Sequence, residues 1–243
     1  MTELRVADAA ERENLAAFVA RAVRLDGQAV VRLRQRETVS GVLDAWTMTP
    51  FDVLATRGVR GKIEPRDVTV SGNELLAALT VAGGELMDPG PSRDLLWRSD
   101  LPTSGAWQHV DDLPTSVVTE VTERGVEVAR DNVGPQGTPP ASLLDQPVLT
   151  VSNDDFDLKV QLRCLFALSG MGFTGVSGDG PEEGSAEGAA ESYGEGSSGT
   201  SAATGGGSAG EVVRVSATDS WLRMDARYGA VLRRRHALLP LVF

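Results

Sequence analysis

The stretch Ala29–Val59, AVVRLRQRETVSGVLDAWTMTPFDVLATRGV, decides the fold. In its first part Ala29, Val31, Leu33 and Gln35 alternate with Val30, Arg32 and Arg34. Period two with arginines on one side describes a strand with one face covered and one wet. After the polar corner Arg36-Glu37, the segment Thr38–Met48 alternates again, placing Val39, Gly41, Leu43 and Ala45 on one face. Thr49-Pro50 breaks the ladder, because proline donates no hydrogen bond and turns the residue before it away from helix. Phe51–Val59 then resumes an extended pattern. Connections this short require an antiparallel meander, since a parallel return needs a crossover of about a dozen residues.

The meander must bury one face, and the flanking segments supply helices for it. Asp8 caps the first, Glu11 completes a capping box, and Leu15, Phe18, Val19, Ala22 and Val23 recur at helical spacing up to Leu25. Asp67–Val70 adds a short strand, and Ser71-Gly72-Asn73-Glu74 reads as a second capping box opening a helix through Leu75, Leu76 and Leu79. The punctuated stretch Asp88–Gly105 is a loop expected to pin Leu95, Leu96 and Trp97 onto the core. A third helix is predicted over Leu113–Asp131, with Pro114 in its first turn, Val117, Val118, Val121 and Val128 as its apolar side, and Gly125 as its weak point. A turn at Ser142–Asp145 and a strand over Pro147–Val151 follow, and then a helix over Phe156–Leu168 capped by Asp154-Asp155. Strands are expected at Val212–Val215, Trp221–Met224 and Leu238–Phe243.

The fold class is therefore α+β, with antiparallel meanders packed against helices. Residues 1–176 form the body, in which a break near 84–105 allows two similar halves; 211–243 completes it. The match of AVVR at 29–32 to EVVR at 211–214 is the one local hint of a repeat. Between body and C-terminal strands, Ser177–Gly210 is almost wholly Gly, Ser, Ala, Glu and Thr. Such a tract buries too little apolar surface to offset the entropy of ordering it, so a flexible acidic insertion is expected. Its six acids, Asp179, Glu182, Glu183, Glu187, Glu191 and Glu195, supply more than half of the net charge of −11, so the body itself is only mildly acidic. That balance disfavours a dedicated nucleic-acid binder.

A lone cysteine, Cys164, rules out an intrachain disulfide and favours a reducing compartment. The N-terminus lacks the apolar core of a signal peptide, and no segment reaches the roughly 18 apolar residues of a membrane span. A cytoplasmic location is expected, and the near-absence of lysine beside abundant arginine suggests a bacterial genome rich in G and C.

No catalytic motif stands out. Gly170–Gly175 spells G-x-G-x-x-G, but a predicted helix precedes it where a dinucleotide site needs a strand, so a helix C-cap is expected. His109 has Asp111 and Asp112 beside it and His236 follows three arginines, without ligand spacing for a metal. Asn153–Asp157 lacks the central glycine and distal glutamate of a calcium loop. Cys164, in the apolar run Leu162–Leu168, reads as a buried small hydrophobe. Neither a cofactor nor a metal is expected.

Three functional readings follow. The first is a non-enzymatic protein-binding or adaptor module using the sheet face, an exposed strand edge or the insertion. The second is an enzyme or small-ligand site assembled from dispersed residues such as Asp44, Trp46, Asp52, Arg57, Trp107 and His109. The third is a polyanion or RNA surface built from Arg32, Arg34, Arg57, Arg60, Arg233, Arg234 and Arg235, extended by Arg36 and Lys62, over which the acidic insertion is able to fold as an electrostatic cover.

Overall fold

The computed structural model describes residues 2–81, 84–102, 107–131, 139–175 and 211–235. The predicted strand at Leu238–Phe243, His236 and the Ser177–Gly210 tract lie outside these residues.

The first meander forms, although its second strand begins at Val42 and not at Thr38, leaving Val39 45% exposed in the turn before it. Strands β2 (Val30–Gln35), β3 (Val42–Met48) and β4 (Leu54–Glu64) pair antiparallel in sequence order, with Leu33 opposite Ala45 and Ala45 opposite Arg57. Before them come β1 (Glu3–Val6) and α1 (Ala9–Leu25); Asp8 accepts from the Glu11 N–H at 2.9 Å, so the first cap stands where it was expected. After them come β5 (Asp67–Ser71), α2 (Gly72–Val81) and β6 (Leu86–Met87). The second part of the chain holds β7 (Gln108–Pro114), α3 (Thr115–Asp131), α4 (Ala141–Leu144), β8 (Pro147–Ser152), β9 (Asp157–Gln161), α5 (Leu162–Gly170), β10 (Val212–Ala217), β11 (Trp221–Ala226) and β12 (Gly229–Arg234). The chain is thus α+β. The acidic tract falls between the end of α5 and the start of β10.

Ten strands share one sheet in the order β5-β2-β3-β4-β12-β11-β10-β7, with β1 and β6 off that path; β8 and β9 form a separate hairpin. The helices cover one face. Leu4, Leu15, Phe18, Leu33, Leu43, Ile63, Leu75, Leu165 and Leu168 are all essentially fully buried there, each contributing about 1.5–3 kcal/mol of burial. Phe18 of α1 stacks on Phe173 at 6.3 Å, which locks the N-terminal helix to the segment leaving α5. The other face carries a smaller cluster of Trp46, Leu54, Trp221, Ala230 and Leu232, onto which Trp97, Leu101 and Trp107 of the connector between the halves are packed.

Several expectations need correction. Asp157–Gln161 is the strand β9, not the first part of a helix; Asn153 makes the hairpin turn by accepting from the N–H groups of Asp155 and Phe156, so Asp154-Asp155 caps nothing there. Ser71 ends β5 opposite Val30 and Glu74 turns to Arg93, so the strand runs straight into α2 in place of the second capping box. Of the three connector side chains expected to be pinned, only Trp97 is: Leu95 is 94% and Leu96 55% exposed. Pro114 ends β7 and does not sit in the first turn of α3. The inner face of α3 is Thr115, Val118, Thr122 and Ala129, whereas Val117 and Val128 face outward. Gly125 is no defect, because a Cβ there would lie 2.4 Å from Leu162 and 3.2 Å from Phe166; it lets α3 and α5 approach. β12, Gly229–Arg234, was not foreseen at all.

Candidate functional site at the junction of the two halves

The sheet joins its halves through a short contact. β12 pairs only with Leu54–Thr56 of β4, while β1 takes up the same edge of β4 at Gly61 and beyond. Between these two partners the stretch Arg57–Val59 has an open edge. A cleft of about 790 Å³ occupies that opening, lined from one side by β3 and β4 and from the other by the β11–β12 turn and the connector.

Residues from both faces of the sheet reach this cleft because the ladder stops there. Asp44, Trp46 and Thr56 come from the connector face, Arg57 and Asn14 from the helix face, and Trp107 from the connector. Four of the six residues proposed for a dispersed site, Asp44, Trp46, Arg57 and Trp107, therefore meet in one place. Asp52 does not: it sits at positive φ in the β3–β4 turn, beside Arg163. His109 is exposed on β7, its Nε2 3.1 Å from Asp112.

The floor of the cleft is aromatic and its walls are charged. Trp46 is 8% exposed, and the Arg223 guanidinium lies 5.7 Å over the Trp107 ring. Arg223 is held in turn by Asp225 through Nε–Oδ2 at 2.7 Å and Nη2–Oδ1 at 2.5 Å. Arg36 and Asp44 form a second fork-to-carboxylate pair, seated over Gly58, where a Cβ would stand 3.1 Å from Arg36 Nη2. The hydrogen bond to Asp44 raises the Arg36 pKa. Arg57 is different: its Nη2 donates to the Asn14 amide oxygen at 2.6 Å and to no carboxylate among the described residues. Burial lowers its basicity, opposed by Glu11 and Tyr228, with Arg21 pushing further down. It stays charged, since guanidinium does not lose its proton in proteins. Thr56 adds an unmet polar group: it is 6% exposed and its Oγ1 has no hydrogen-bond partner among the described residues.

The arginines singled out from sequence are divided among several places. Arg34 and Arg57 line the cleft. Arg32 grips Asp67 with two 2.7 Å hydrogen bonds, which raise its pKa, and stacks on Trp97. Arg60 bridges to Asp8 and Glu11 at the start of α1. Arg233, Arg234 and Arg235 lie at the far end of β12, beside a separate groove. Sequence reasoning missed Thr56, Arg223, Asp225 and Tyr228. The one available signal was the spacing of two between Arg223 and Asp225, which puts both on one face of a strand.

The remaining motifs do not form sites. Gly170 ends α5, and Phe173 and Thr174 of the G-x-G-x-x-G run are buried in the core. Cys164 is buried in α5, where desolvation pushes its thiol pKa up to about 11. Among the described residues no group of three or more His, Cys, Asp or Glu is arranged for a metal ion, and no helix is long and apolar enough to cross a membrane.

Residues 102–238, which include β7 to β12, match a family described as Domain of unknown function (DUF8185). The chain belongs to that family. Residues 1–99 of this DUF8185 protein match a second description, Domain of unknown function (DUF8010), so the cleft is built from both matched regions. No curated protein is significantly similar in sequence. In fold, the chain is similar to bacterial sliding clamps. The DNA polymerase sliding clamp from Bacillus subtilis aligns with TM-score 0.52 at 8% identity, covering 99% of this chain and 66% of the clamp. The Caulobacter crescentus beta sliding clamp gives TM-score 0.52 at 10% identity, with 99% and 66% coverage. The DnaN sliding clamp (DNA polymerase III subunit beta) from Bartonella birtlesii, bound to griselimycin, gives 0.50 at 9% identity, with 99% and 67% coverage. The DUF8185 protein thus spans about two thirds of the length of these clamps, and at such identities the likeness is one of fold.

Proposed function

We propose that this protein is a non-enzymatic binding module that seats an extended segment of a partner protein in the cleft between its halves. The observation that carries the reading is the unpaired edge of Arg57–Val59, flanked by Trp46, Trp107 and the unsatisfied Thr56 hydroxyl. Tryptophan and arginine in a desolvated pocket are the residue types that dominate protein–protein binding energy. The cleft carboxylates Asp44, Asp225 and Glu11, and more loosely Glu37, are each engaged by an arginine, an arrangement suited to recognition more than to proton transfer. The likeness to polymerase sliding clamps supports a scaffold role. It does not by itself bring DNA: α1 balances Glu11 and Glu13 against Arg12, Arg21 and Arg24, and α3 sets Glu120, Glu123 and Glu127 against Arg124 and Arg130, leaving no basic stripe on the helical face.

Strand addition at the outer edges of the sheet, β5 and β7, is the less favoured route. On the edge strand β5 the Thr69 N–H donates to Asp94 Oδ1 and the Thr69 carbonyl accepts from the Arg93 N–H, both at 2.6 Å. On the opposite edge strand, β7, the His109 carbonyl accepts from Asn153 Nδ2 at 3.0 Å. Groups that a docking strand would use are already occupied. The cleft volume also suits a small ligand, whose pockets run from about 300 to 1,000 Å³. Affinity capture from source lysate, comparing the wild type with Trp107→Ala and with the surface control Leu95→Ala, tests the reading. A partner retained by wild type and L95A and reduced at least tenfold by W107A supports it; equal retention by all three sinks it.

A further inference from the structure

The second arginine cluster stands apart from the cleft. β9 and the end of β12 bound a groove of about 370 Å³ lined by Lys159, Arg233, Arg234 and Arg235, with Asp157 as its carboxylate and Cys164 at its base. Its charges do not cancel. Arg234 is neutralised by Asp100 at 2.5 Å. Arg233 is only partly so: its Nη2 donates at 3.4 Å to the Asp145 oxygen that the buried Arg163 already holds at 2.6 Å. Arg233 Nη1 is sealed from solvent with no acceptor among the described residues. Among the described residues Arg235 is fixed without a carboxylate, donating to the Thr218 carbonyl at 2.8 Å and lying 4.9 Å over the Phe156 ring. Among the described residues the cations Lys159, Arg233 and Arg235 thus face Asp157 and a shared Asp145, an excess of between one and two positive charges.

We infer that this groove binds a phosphomonoester dianion carried by a small molecule. A terminal phosphate at neutral pH brings a charge of about −1.5 to −2, which matches the excess. Its three acceptor oxygens suit two guanidinium forks and an ammonium. Turning the Arg233 fork toward the groove exchanges a sealed, unsatisfied N–H for a bound oxygen, removing a buried polar group whose desolvation is uncompensated. The volume lies near the lower end of small-ligand sites, with room for a phosphate and a compact body. Leu158 and Leu222 give that body an apolar wall. A phosphodiester backbone, with one charge per group, matches less well and needs an open track.

Isothermal titration calorimetry of the full chain at physiological ionic strength decides the matter, using inorganic phosphate, phenyl phosphate and a single-stranded DNA 20-mer without terminal phosphate. The expected result is saturable one-to-one binding of phenyl phosphate, at least as tight as inorganic phosphate, weakened about tenfold by Arg233→Met and several-fold by Lys159→Ala. Cys164 remaining unreactive toward a thiol reagent in both variants shows that the groove is still packed. Absence of phosphate binding to the wild type, or unchanged affinity in both variants, overturns the inference. So does DNA binding without phenyl phosphate binding. Loss of the proposed protein partner on W107A leaves this result untouched, because Trp107 does not line the groove.

Discussion

Two sets of strand arginines behave differently in this molecule. On β2 the arginines look across the sheet at acids: Arg34 is in register with Asp44 and Asp67, and Arg32 reaches Asp67 one rung away. At the end of β12 the cross-strand neighbours of Arg233 and Arg234 are Leu222 and Trp221, so any acid must come from a distant loop. Asp100 serves Arg234, but Asp145 is already committed to Arg163. Cross-strand pairing makes the first set part of the scaffold. Its absence leaves the second set with charge to spare, and a surplus of charge is what a ligand can use.

The sharpest way to break this contrast is Arg163→Ala. Arg163 is 8% exposed and also donates to the Phe51 carbonyl, so its loss should destabilise the protein by about 3 kcal/mol. It should also free Asp145 for Arg233 and weaken phosphate binding. An unchanged urea midpoint would show that Asp145 is not shared as described. Arg32→Ala removes a two-pronged ion pair and the stacking on Trp97, and should lower stability by about 1 kcal/mol. Arg233→Met should be neutral or slightly stabilising in the same assay, because it deletes an under-neutralised charge while keeping its stem. If both lower the midpoint equally, the distinction between scaffold and surplus arginines fails.

Acid should act on the first set through Asp94, which lies beside Arg32. The Asp94 carboxyl is held below its ordinary range by the Ser92 hydroxyl first and the Thr69 N–H second. A depressed folded-state pKa stabilises above the unfolded value of about 3.9, and that contribution is lost as pH falls through the folded one. Thermal melts of Asp94→Asn should therefore show a shallower decline than wild type below about pH 4. Parallel decline would remove Asp94 as the lock on β5. The smallest effect is expected of Arg60→Ala: the side chain is 64% exposed, so its two ion pairs should leave the melting temperature unchanged within error.

Much of the architecture was legible from local pattern. Alternation over Val30–Gln35 and Val42–Met48 and the Asp8 cap each depend on neighbours a few residues away, so the sequence by itself determined the first meander, α1 and the burial of Cys164. It misread Asp157–Gln161 because Leu158, Leu162 and Leu165 fit a helical stripe, and only pairing with β8 converts the first five residues to strand. It overlooked the Arg57–Val59 opening and the Thr56 hydroxyl because both exist only where β12, some 170 residues later in the chain, stops pairing with β4. Periodicity is a property of adjacent residues and survives in the bare sequence. Which edge lacks a partner, and which arginine lacks an acid, are settled by contacts between distant segments, and only the tertiary structure decides them.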